Sequence, residues 1–193
     1  YKLLLAGLRL AIIAVAVVML HELSVTFERT GLPYVVVLVD DSQSMGIRDQ
    51  YDDPAWQSQA AAVLTSAGLP SEGTRLNLAK SILLAKDARV LRQIEEQYKL
   101  RVYFVSAAAR AQSGTADEVA EKLGKLEPTG GHSRLGTAVR TVLNDLRGTP
   151  PSAIVLFSDG ITTDGETLSE VASYAARKRV PLFTVGLGNE QHV

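Results

Sequence analysis

The chain has no cysteine among its 193 residues, which rules out disulfides, thiolate nucleophiles and zinc–thiolate sites. Aromatic residues reach only 6% and tryptophan occurs once, so aliphatic side chains must fill the core. At 46% hydrophobic content, this supply of Val, Leu, Ile and Ala favours a sheet buried on both faces. Neither sign of charge dominates. A net charge of −1 offers no electrostatic footprint for nucleic acid. Nucleotide-binding glycine motifs and the G-x-S-x-G elbow are also missing. The histidines, His21, His132 and His192, are too scattered to form a cluster. The length fits one ordinary domain plus a short appendage, and the opening at Tyr1 reads as an excerpt from a longer protein.

Residues 3–20 read LLLAGLRLAIIAVAVVML, apolar except for Gly7 and Arg9. A bilayer span needs about 20 predominantly apolar residues, and the stretch is apolar all round rather than along one stripe. Residues 1–21 are therefore predicted to be a transmembrane helix contacting lipid through 3–20. Lys2 and Arg9 place its start in the cytoplasm and the rest of the chain outside, in an extracytoplasmic or periplasmic space. The rival reading is a hydrophobic helix docked on the domain or a neighbour.

A polar connector over 22–33 follows, closed by Gly31 and Pro33. Tyr34–Val39 is a continuous β-branched run of the kind found in buried parallel strands. Strands are also predicted at 101–105, 153–157 and 182–185, with a short edge strand possible within 107–115. Helical spacing marks 74–98, 117–126, 135–146 and 166–178. The 47–73 stretch reads as an extended insertion loop that could hold one short helix. Its Trp56 would pack that loop on the domain or meet a partner. Alternating strands and helices imply a doubly wound, Rossmann-like α/β domain over 34–193, with a mostly parallel sheet covered by helices on both faces.

In such sheets ligands bind beyond the carboxyl ends of the strands, where the winding reverses. Two strands end there in acidic loops, Asp40-Asp41-Ser42-Gln43-Ser44 and Ser158-Asp159-Gly160, and a third polar loop reads GGHSRLG. Carboxylates and hydroxyls without sulfur suit a hard cation such as Mg²⁺. If the first loop stays extended, Asp40, Ser42 and Ser44 point the same way and converge. Taken singly, Asp-Ser and Asp-Gly after a strand are ordinary turn chemistry. Their joint occurrence after two buried strands favours a metal site.

VVVLVDDSQSM, GGHSRLGTAV and IVLFSDG resemble the three motifs of the metal-ion-dependent adhesion site of von Willebrand factor A domains. The resemblance covers about 33–188. It implies that Asp40, Ser42, Ser44, Ser133 and Asp159 hold Mg²⁺, or Mn²⁺ or Ca²⁺, with the aspartates acting directly or through water. Ser133 stands where the family usually has threonine, and Thr137 is its rival. The resemblance further implies an open coordination position that takes a carboxylate from a partner protein. Asp41, between the ligands, points away into hydrogen bonds. The phrases TRLNLAKSILL and RLGTAVRTVLNDLRG are similar to bacterial membrane-anchored proteins of the aerotolerance type. That likeness implies a MoxR-type AAA+ ATPase or other membrane proteins with such domains as partners.

Catalysis is not expected. The D-x-D of haloacid-dehalogenase phosphatases is broken by Ser42, which removes the general acid. His132 is a lone loop histidine and at most a pH-sensitive modulator. A third reading is a metal-free domain that serves as a scaffold through its surface.

Overall fold

The computed structural model describes residues 1–20, 31–50, 53–70 and 73–189. It divides into two compact units, Tyr1–Gly31 and Leu32–Val193. The first contains helix α1 (Lys2–Leu20). Here the membrane expectation is corrected. Among the described residues, no helix is long and apolar enough to cross a membrane. Lys2, Gly7 and Arg9 interrupt the apolar run of this 19-residue helix, where a span needs about 20 predominantly apolar positions. The lipid contact through 3–20 and the extracytoplasmic placement built on it are set aside. The expected connector, with His21, falls largely outside the described residues, and so does His192.

In the second unit the elements run β1 (Tyr34–Asp40), α2 (Pro54–Ser66), α3 (Arg75–Gln97), β2 (Lys99–Val105), β3 (Ala109–Gln112), α4 (Ala116–Gly124), α5 (Leu135–Asp145), β4 (Ala153–Ser158), α6 (Leu168–Arg177) and β5 (Leu182–Gly186). The sheet has five strands in the order β3-β2-β1-β4-β5. All neighbours pair in parallel except the edge strand β3, which runs antiparallel to β2. The chain winds from β1 toward one edge and then crosses to β4 on the other side. The switch point thus lies between the carboxyl ends of β1 and β4.

β1 reads as uninterrupted apolar residues because both of its faces are covered. Val37 and Val39 join Val102, Phe104 and Phe157 under α3 and α4. Val36 and Leu38 join Tyr103, Ile154 and Leu156 under α5 and α6. With its faces buried and its edges paired, β1 can only turn at its end, and it ends on Asp40.

Within the 47–73 segment, where a loop with room for one short helix was expected, α2 runs over Pro54–Ser66. Asp53 caps α2, accepting from the Ala55 N–H at 2.8 Å, and Pro54 occupies a first-turn position where no helical N–H is needed. Leu64 anchors α2, while Trp56 is 62% exposed. The single helix expected over 74–98 is broken. Lys86, Asp87 and Ala88 adopt left-handed φ of 52°, 57° and 55° between two helical halves. No glycine or proline announces this turn. Ala88 and Leu91 beyond it are buried, so packing of the second half holds the strained backbone in place.

A left-handed L-residue costs about 1–2 kcal/mol, and a glycine loses about 0.4–1 kcal/mol through the unfolded state. Lys86→Gly or Asp87→Gly should therefore stabilise the domain by about 0.5–1 kcal/mol. Gln93→Gly, in regular helix, should destabilise it by about 1 kcal/mol. Urea-unfolding midpoints would check the opposite signs.

Candidate metal centre

Asp40 ends β1 with 0% exposure. Its Oδ1 accepts from the Ser42 N–H at 2.9 Å. Its Oδ2 accepts from the Ser158 hydroxyl at 2.7 Å, and the Ser133 hydroxyl approaches the same oxygen at 3.5 Å. Burial pushes the Asp40 carboxyl above its ordinary value, the bonds from Ser42 and Ser158 oppose that, and nearby Asp159 adds a further upward push by repulsion. A carboxyl raised in this way favours folding below its unfolded-state pKa and loses that contribution as pH rises through the raised value.

The loop after β1 is not extended throughout, contrary to expectation. Ser42 keeps extended backbone (φ −65°, ψ 161°), held by a bridge to Gly130, and Gln43–Gly46 then forms a 3₁₀ turn. Met45, with 0% exposure, plugs that turn into the core. Tightening replaces side-chain alternation as the cause of convergence. It brings the Ser42 and Ser44 hydroxyls to 3.1 Å of each other.

The Gly-rich loop is clamped from both sides. The Gln43 N–H donates to the Gly130 carbonyl at 2.8 Å, and the Gly130 N–H donates to the Asp41 carbonyl at 3.1 Å. The Arg134 N–H donates to the Ser106 carbonyl at 3.0 Å. Ser133 is pinned by Thr163, whose Oγ1 accepts from the Ser133 N–H at 2.9 Å. Thr137 faces elsewhere: its Oγ1 accepts from the Glu166 N–H at 3.3 Å. Of the two candidates, only Ser133 stands beside Asp40. His132 is exposed at the loop surface.

Asp159 follows β4 with its side chain 1% exposed. Its Oδ1 accepts from the Ile161 N–H at 3.0 Å, and its Oδ2 accepts from Arg75 Nη1 at 3.0 Å. Asp41 turns away from the other candidates and pairs with Arg110, which also donates to Ser106 Oγ at 2.8 Å. The second Asp41 oxygen is buried with no hydrogen-bond partner. Sequence reasoning missed Arg75, Asp49, Ser158 and Thr163. Arg75 did carry a signal: it opens α3, where the helix dipole disfavours a cation.

Among the described residues no three His, Cys, Asp or Glu side chains gather as a metal cluster, so any cation here must rely on hydroxyls. The spacing fits that. In an octahedron with bonds of about 2.1 Å, adjacent ligand oxygens stand about 3.0 Å apart, close to the Ser42–Ser44 separation of 3.1 Å. Asp40, Ser42, Ser44 and Ser133 supply oxygen donors only, the set hard divalent ions prefer.

The von Willebrand factor type A domain model matches residues 35–161, and the chain belongs to that family. No curated protein matches it. Among solved structures, proximal thread matrix protein 1 from the mussel byssus, with a zinc-occupied MIDAS motif, is 16% identical with a TM-score of 0.49. That likeness covers 81% of this chain and 38% of that one. Manganese-loaded Plasmodium vivax TRAP protein is 17% identical with a TM-score of 0.48, over 82% of this chain and 58% of that one. The chain thus spans less than two thirds of either protein, and at this level of similarity neither informs the ligand.

The closeness of the clamped loop is itself testable. A Cβ on Gly130 would stand 2.2 Å from the Ser106 Cβ. Gly130→Ala should cost about 1–3 kcal/mol through overpacking. Adding Ser106→Gly should recover part of it, as read by thermal melting of single and double variants.

Proposed function

We propose that this domain binds a divalent cation at Asp40, Ser42, Ser44 and Ser133, with Asp159 behind them, and uses it to capture a carboxylate of a partner protein. The observation that carries the reading is the convergence of these oxygens at the sheet's switch point, with two hydroxyls at ligand-to-ligand spacing. Mg²⁺ is the leading ion, and Mn²⁺ or Ca²⁺ would suit the same donors. The hydroxyls add donors without adding negative charge, so the bound cation keeps an electrophilic contact for an incoming anion. Half-exposed Arg110 and Arg134 border the loops of the site and favour the same acidic partner.

We also propose that the domain is not an enzyme. Ser158 is buried and donates its hydroxyl to Asp40, and His132 is at the surface. Among the described residues, no acid–base pair supports turnover at this site. A narrower form of the proposal keeps the aerotolerance-type kinship and a MoxR-type AAA+ ATPase as partner, on the phrases around residues 74–84 and 134–148.

Isothermal titration of the whole chain with Mg²⁺ or Mn²⁺ should give micromolar-to-millimolar affinity, about the range of exposed oxygen-ligand sites. The Asp40→Ala/Ser42→Ala variant should lose it while still melting cooperatively. Binding indifferent to these substitutions would leave a scaffold domain that works by its surface alone.

A further inference from the structure

Arg75 is almost fully enclosed, at 4% exposure. Nε and Nη2 donate to the two oxygens of Asp49 at 2.8 and 2.7 Å, and Nη1 donates to Asp159 Oδ2 at 3.0 Å. Asp49 belongs to the 47–73 insertion, and its side chain is 2% exposed. The loop after β5 closes over the group. A Cβ on Gly188 would stand 2.7 Å from Arg75 Nε, and Asn189 Nδ2 donates to the Gln50 carbonyl at 2.8 Å. The pairing with Asp49 holds the guanidinium firmly protonated. A permanent positive charge is thereby bonded to the rearmost carboxylate of the candidate metal centre, and its own counter-ion sits in the insertion.

We propose that Arg75 competes with the bound cation for Asp159, and that Asp49 sets the strength of this competition, so that the insertion tunes cation affinity. The inference rests on the cation-binding reading above. Its physical basis is simple. Both positive groups draw on one carboxylate in a poorly solvated pocket, where like charges repel far more than in water. While Asp49 neutralises Arg75, Asp159 can be shared with the cation. A partner or rearrangement that draws Asp49 away would leave Arg75 to hold Asp159 alone. Because the coupling is reciprocal, cation binding would also bias the insertion toward the conformation that keeps Asp49 on Arg75. Three of the groups meet along the rim from separate segments: the insertion, the start of α3 and the loop after β4. That placement lets a change in the 47–73 segment reach the cation with no contact to it.

The test is Mn²⁺ titration by calorimetry on the whole chain, with thermal melts to establish that each variant folds. Asp49→Asn removes the counter-ion's charge with little change of shape and should weaken Mn²⁺ binding by about tenfold, within the span usual for coupled sites. Arg75→Gln/Asp49→Asn removes both charges, keeps amides in their places, and should bind Mn²⁺ about tenfold tighter than the unmodified chain. Opposite signs support the inference, since a merely structural clamp would weaken binding in both. Changes of the same sign, or none, overturn it while binding abolished by Ser42→Ala/Ser44→Ala leaves the cation-binding reading standing. If Asp49→Asn fails to fold, the double variant decides alone, and affinity no tighter than that of the unmodified chain overturns the inference. Absence of Mn²⁺ binding in every form, including the unmodified chain, sinks both.

Discussion

Asp40 brings a carboxyl group to the end of the central strand and leaves it there with no exposure. Burying an ionisable group without partners is expensive, and the surrounding architecture follows from meeting that cost. The Ser42 N–H, the Ser133 hydroxyl and the Ser158 hydroxyl reach it from two loops and the end of β4. Each loop is in turn fixed to another: the first to the second by the Ser42–Gly130 bridge, the second to the loop after β4 by Ser133 and Thr163. The two hydrophobic cores hold β1 flat between helices, so Asp40 cannot swing out to water. Core packing and site geometry are therefore one constraint seen from two sides.

Much of this was legible in the sequence, for a definite reason. β1 and β4 are buried on both faces, so Val35–Val39 and the run ending at Phe157 carry an unbroken apolar signature, and the residues that follow them must lie at the rim. The D-x-S-x-S spacing showed which side chains meet, though not how. Its grouping comes from the 3₁₀ turn at Gln43–Gly46 rather than from an extended strand end. The family membership and the helix-covered sheet were readable, and the membrane span read from 3–20 was not upheld.

What stayed hidden is non-local. The break in α3 at Lys86–Ala88 has no glycine or proline, because it is imposed by packing of Ala88 and Leu91 and not by local preference. α2 was hard to see within the insertion because so few of its residues are buried; Leu64 is the clear anchor. The Asp49–Arg75–Asp159 group joins positions 26 and 84 residues apart, a pairing no spacing rule reveals. An arginine at the first residue of a helix was the one visible irregularity, since the dipole there opposes it.

The charges around the rim close the argument. Asp40, Asp41, Asp49 and Asp159 are four carboxylates, and Arg75 and Arg110 are the two guanidinium groups bonded among them. Arg110 is spent on Asp41 and Arg75 chiefly on Asp49, so the shortfall falls on Asp40 and Asp159, the pair that flanks the serine hydroxyls. Burial raises the Asp40 carboxyl, and repulsion from nearby Asp159 in the same dry crevice adds a smaller upward push. Protonation relieves one charge and a divalent cation relieves both. The hydroxyls of Ser42, Ser44 and Ser133 complete the donor set without adding charge, so a divalent ion would neutralise the pair and still expose a face to an anion. A third carboxylate in place of any of these serines would overcompensate the ion's two charges and repel an acidic partner.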